Sequence, residues 1–156
     1  MKSNSDFTAL GLTDFDLLKS RHANSGEDYY KAIISPQHPG IGEPIFSATR
    51  HLYFGSKTTF SVIGQYFTPE VAEIISFVIS RDLKDGTHKI GGAGSPVQGV
   101  MTMSSRVLYA STGEITFIRD NANDSITATF NFEVEFDQQK YQVKEGKLFV
   151  GATGPL

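Results

Sequence analysis

The chain has 156 residues, 14 basic against 17 acidic side chains, a net charge of -3 and no cysteine. That length suits one domain, able to bury about 68 to 70% of the surface its unfolded chain exposes. The missing cysteines exclude disulfides, thiolate metal sites and a cysteine nucleophile, and the charge balance lacks the basic footprint that nucleic acid requires.

Residues 1–28 carry Phe7, Leu10, Leu12, Phe15, Leu17 and Leu18 among polar residues, and Thr13-Asp14 stands as a helix cap ahead of FDLLKSR. One short helix over about residues 13–21 is expected in this N-terminal arm, ahead of a single antiparallel β domain over 29–156. A helix so short does not persist alone in water. The arm must therefore pack on the β body, pack on another subunit as in a homodimer, or fray. It contains no apolar run of signal-peptide length, and no stretch of the chain approaches membrane-spanning length. Read as it stands, the chain is expected in the cytoplasm; if a leader has been removed, it is an exported protein.

Tyr29–Ile34 reads as a strand, and SPQHPGIGEP, with three prolines and two glycines in ten residues, breaks regular structure after it. Ile45–Phe54 and Thr58–Phe67 alternate around Gly55-Ser56-Lys57 as a hairpin. The next segment, VAEIISFVISRDL, admits two readings. Thr68-Pro69 followed by Glu70 to Glu73 is helix-start chemistry, whereas Ile74, Ile75, Phe77, Val78 and Ile79 are branched or aromatic and favour a strand over Ile74–Arg81. Thr87–Ile90 would return as its partner across Lys84-Asp85-Gly86. A glycine-rich loop follows, then weaker strands over Val97–Ser104 and Arg106–Ser111.

The clearest pattern runs from Gly113 to Val150. Ile126, Ala128, Phe130, Phe132, Val134 and Phe136 fall on one parity and Thr127, Thr129, Asn131, Glu133 and Glu135 on the other, which describes a strand with one dry and one wet face. Ile115 and Phe117 repeat the alternation before it, Tyr141 and Val143 after it. The three runs form a meander closed by loops at Asn121–Ser125 and Asp137–Lys140. Beyond Val143 the parity changes, so a bulge is expected at Glu145-Gly146, with glycine supplying the unusual backbone angles. About eight to ten short strands without crossover helices make an all-β antiparallel sandwich or closed barrel.

The order of IISFVISRDLKDGTHKIGG (74–92), STGEITFIRD (111–120), ITATFNFEVEF (126–136) and VKEGKLFV (143–150) resembles the β-rich domains of unknown function found in Bacteroidetes lipoproteins. It departs from them at His88 and Ala128, where that family places an aromatic residue and a glycine. The expected lipid-attached cysteine is absent. The resemblance implies a bacterial β domain and carries no catalytic residues.

No motif names a chemistry. His22, His38, His51 and His88 lack metal-ligand spacing and read as surface or loop residues, with His88 set apart by its place in a strand beside the glycine-rich loop. Asp120 to Asp124 gathers oxygen donors but has Ala122 at the third position and no distal bidentate glutamate, so it reads as a polar hairpin loop rather than a calcium site. Gly91 to Ser95 lacks the lysine and helix start of a phosphate loop. Ser95 and Ser104-Ser105 lack triad partners. Glu133 and Glu135 lie about 7 Å apart on one strand face, as glycosidase carboxylates sometimes do and solvated strands routinely do. No metal or other cofactor is expected. The expectation is a noncatalytic binding domain for a protein, glycan or small molecule. The alternative is a small barrel enzyme drawing polar cavity residues from separate strands, with His88, Arg106, Tyr109, Glu114 and Glu133 as the candidates for either site.

Overall fold

The computed structural model describes residues 27–156, and the helix expected within 13–21 lies outside them. Among the described residues eleven strands form two antiparallel sheets. The first has the order β2 (Ile45–Ser47), β1 (Tyr29–Ser35), β11 (Gln139–Gly151), β10 (Ser125–Phe136), β9 (Thr112–Asp120) and β6 (Gly86–Lys89). The second runs β3 (Arg50–Gly55), β4 (Thr59–Phe67), β5 (Ala72–Ser80), β7 (Val97–Met103) and β8 (Arg106–Tyr109). The two sheets do not join into a barrel, so the fold is the sandwich of the two alternatives. Among the described residues no helix is long and apolar enough to cross a membrane.

The meander is the backbone of the six-stranded sheet, with Ala128 opposite both Phe117 and Leu148. Its dry parity faces the other sheet. Phe130 and Phe132 meet Phe77 of β5 at ring-centroid distances of 4.8 and 5.8 Å, and Phe117 meets Phe60 of β4 at 5.7 Å. Edge-on aromatic pairs of this kind add about 0.5 to 1.5 kcal/mol each beyond the area they bury.

The expected bulge is present, for a different reason. Between Phe130↔Gly146 and Phe132↔Val143 the register slips by one residue, and Glu145 takes the left-handed conformation at φ 52°. Gly146 itself serves clearance, because a Cβ there would collide with the Phe130 ring. The turn between β10 and β11 is also tighter than Asp137–Lys140. Asp137 and Gln138, at φ 50° and 64°, make a two-residue turn, and positive φ at both positions matches the twist of the flanking strands. Ser104 and Ser105, at φ 49° and 64°, do the same between β7 and β8.

Residues 72–80 are strand, as favoured. Thr68 holds the β4–β5 turn, its Oγ1 accepting the Val71 N–H at 3.0 Å, so the capping chemistry that suggested a helix start is used in a turn. Two expectations are corrected. Ile45–Phe54 is two strands, because the chain leaves the first sheet after Ser47 and joins the second at Arg50, which gives eleven strands where eight to ten were expected. The segment after Lys84-Asp85-Gly86 does not return beside β5, whose two edges are taken by β4 and β7; β6 crosses over and pairs with β9. Arg119 on β9 secures the crossing, donating from Nε to Asp85 Oδ1 at 3.0 Å and from Nη2 to the Leu83 carbonyl at 2.8 Å.

The C-terminal residues run along β3. Thr153 N–H donates to the Tyr53 carbonyl at 2.8 Å and Gly55 N–H to the Pro155 carbonyl at 2.6 Å.

Candidate functional site

The wet parity of the meander, continued onto β6, builds an open groove of about 670 Å³. Its polar lining comes from four strands: Lys89 on β6, Glu114 on β9, Asn131 and Glu133 on β10, and Gln142, Lys144 and Glu145 on β11. Register accounts for the convergence. Asn131 faces Glu114, which faces Lys89 on its other side, and Glu133 faces Gln142. Gln142 Nε2 donates to Glu133 Oε1 at 3.1 Å, which orients that carboxylate. Gly113 keeps the floor low, since a Cβ there would collide with the Asn131 carbonyl and Phe132. A second groove of about 360 Å³ continues along the same face and shares Glu114, Asn131 and Glu145 with the first.

Of the five sequence candidates, Glu114 and Glu133 meet in this groove and the other three do not. His88 lies at the rim of the core, its ring stacked on Phe117 at 5.3 Å and its Nε2 at 2.7 Å from the Lys84 carbonyl. Arg106 lies over the Phe136 ring at 5.7 Å. Tyr109 sits on the short strand β8, on the second sheet. The polar interior that a barrel enzyme would need is occupied instead by Phe77, Phe117, Phe130, Phe132 and their apolar neighbours.

Two of the histidines read as surface or loop residues are buried, one in a loop and one on a strand. His38, in the proline-rich loop, is 1% exposed. Its Nδ1 accepts the Gly40 N–H at 2.9 Å and its Nε2 donates to the Thr102 carbonyl at 2.8 Å, which places the ring proton on Nε2. Beside it Thr102 Oγ1 donates to Glu73 Oε2 at 2.6 Å and accepts the Ile74 N–H at 2.8 Å. Each of these buried groups has a partner, as buried polar groups require, and the cluster ties the loop to β5 and β7. Only its proline and glycine spacing was visible in sequence; the bonds that tie it to β5 and β7 join residues 28 to 64 apart. His51 is buried on β3, and burial lowers its pKa below the ordinary 6.5 against the opposing pull of Asp28. Burial also raises the Tyr30 phenol well above 10.

The Asp120–Asp124 loop spends its first carboxylate on itself. Asp120 accepts the Ala122 and Asn123 N–H groups at 3.0 and 3.2 Å and Asn123 Nδ2 at 2.7 Å, and the side-chain bond from Asn123 leads in lowering its pKa. Among the described residues no group of three His, Cys, Asp or Glu is placed to hold a metal ion. Known family models and curated proteins give no match to the chain.

Proposed function

We propose that this chain is a noncatalytic binding domain whose outer six-stranded face takes a polar, hydroxyl-rich ligand of the oligosaccharide class. One observation carries this reading: carboxylates, amides and ammonium groups from four adjacent strands converge on one open groove. Asn, Gln and Glu side chains offer paired donors and acceptors to vicinal hydroxyls. Lys89 and Lys144 stand among Glu114, Glu133 and Glu145, so the groove does not select for net charge. Functions on such scaffolds reside in sites of this kind.

Amide-detected NMR titration of the full chain with an oligosaccharide panel and a peptide panel tests it. Shifts centred on Asn131, Glu133, Gln142 and Lys144 with an oligosaccharide, weakened about tenfold in Glu133→Ala/Lys144→Ala, are expected; tenfold corresponds to about 1.4 kcal/mol. Shifts only with peptides would reassign the ligand class. Shifts elsewhere, or none, would remove the groove as the site.

A further inference from the structure

One place on the outer face of the six-stranded sheet departs from the way the chain arranges its charges elsewhere. Register sets Lys89 of β6 opposite Glu114 and Glu135 of β10 opposite Lys140, pairs of opposite sign. Among the described strands like charges face one another only at Lys31 of β1 and Lys147 of β11. Both are exposed and point outward, since Tyr30, Ala32 and Leu148 beside them belong to the inter-sheet core. Directly opposed side chains leave a sheet about 4.5 to 5.5 Å apart, and like charges so placed destabilise it. No carboxylate among the described residues comes within 4.0 Å of either ammonium group. Nor do these lysines guard an edge, because β2 covers the other side of β1 and sets Ser47 opposite Lys31.

We infer that the oligosaccharide proposed for the groove is an acidic one, and that Lys31 and Lys147 together hold its carboxylate or sulfate group. This rests on the groove reading and adds the charge of the ligand to it. Lys147 lines the smaller groove, which shares Glu114, Asn131 and Glu145 with the larger, so a chain lying in the larger groove reaches the lysine pair along one continuous surface. An acidic group between two ammonium groups removes their repulsion and accepts a charge-assisted hydrogen bond from each. The next row suits the sugar that carries it. Tyr29 and Phe149 face each other there with ring centroids 6.3 Å apart, Tyr29 exposed and Lys31 Nζ 5.9 Å from its centroid. Aromatic rings give the C–H face of a sugar an apolar seat, and the lysines meet the acidic group at its edge. Glu114, Glu133 and Glu145 in the larger groove repel acidic groups, so the fit is to a chain that carries its charge at one end.

The test uses the full-length protein and matched oligosaccharides: a neutral chain of several hexoses, the same chain with one terminal sugar oxidised to a uronate, and the same chain with a terminal sulfate. In NMR titrations at low salt at least one acidic form is expected to bind about tenfold more tightly than the neutral form and to shift Tyr29, Lys31, Lys147 and Phe149, with the preference shrinking as salt is added. The two acidic forms tell which anion the lysines take. Lys31→Gln/Lys147→Gln should lose the preference, bind the neutral chain as before and keep or raise its urea midpoint, because the repulsion leaves with the lysines. Equal affinity for acidic and neutral chains, or a preference that survives in the double variant, would overturn the inference and leave the groove reading standing. No shift in the groove with any of the three chains would remove both.

Discussion

The two sheets of this sandwich bury the same kind of inner face and differ on the outside. Along β10 the outward residues are Thr127, Thr129, Asn131, Glu133 and Glu135, whereas along β4 and β5 they include Ile63 and Ile74, both buried. A sheet with one wet face writes strict alternation into its sequence; a sheet dry on both sides writes a continuous apolar run. Both kinds occur here. ITATFNFEVEF is therefore unambiguous as a strand, and IISFVIS is open to two readings although it is equally well paired.

The comparison can be broken first at the shared core. Phe130→Ala should cost about 3 to 5 kcal/mol, because Phe130 is 3% exposed and packs on Tyr30 and Phe77. Glu133→Ala, one strand step past the adjacent Phe132 and on the groove side, should stay within about ±0.5 kcal/mol. Equal urea midpoints for the two variants would refute the register. The outer faces give the sharper contrast. Ile63→Ala should cost about 2 to 5 kcal/mol and Ile118→Ala about ±0.5 kcal/mol, since the first is 0% and the second 61% exposed; similar losses in both would mean that the two outer faces are alike. Gly146→Ala should cost about 1 to 3 kcal/mol through overpacking against Phe130, and the combination with Phe130→Leu should recover part of it in a double-mutant cycle.

The smallest effect concerns pH. Burial holds the folded His51 pKa below the ordinary 6.5, so the unfolded chain takes up its proton first. The His51 contribution is present in full above about pH 6.5, is lost as pH falls from there toward the folded value, and changes no further below it. His51→Gln should flatten that part of the stability profile, measured as urea midpoint against pH.

Legibility in the sequence followed the reach of each signal. The meander, its bulge and the β4–β5 strands were readable because parity and turn residues are local. The use of Gly146 was not, because the Phe130 ring it accommodates comes from the neighbouring strand. The crossing of β6 to β9 was invisible for the same reason: it depends on Arg119 reaching Asp85, 34 residues earlier. At the candidate site Glu114 and Glu133 were singled out as polar residues on strands. Their common groove with Lys89, Gln142 and Lys144 needed the pairing register, and His88, Arg106 and Tyr109, equally plausible by type, lie elsewhere.

The C-terminal run beside β3 bears on behaviour at high concentration. An unpaired strand edge is a template on which another molecule can add a strand. Among the described residues three of the four edge strands are short, three residues in β2 and four in β6 and β8, while β3 has six. Thr153 and Pro155 occupy backbone groups of Tyr53 and Gly55 on that longest edge. Those groups are thereby taken from any strand of another molecule that would add at this edge. Removing residues 153–156 should raise light scattering at high protein concentration more than it lowers the melting temperature, so that solubility and stability are set by different parts of the chain.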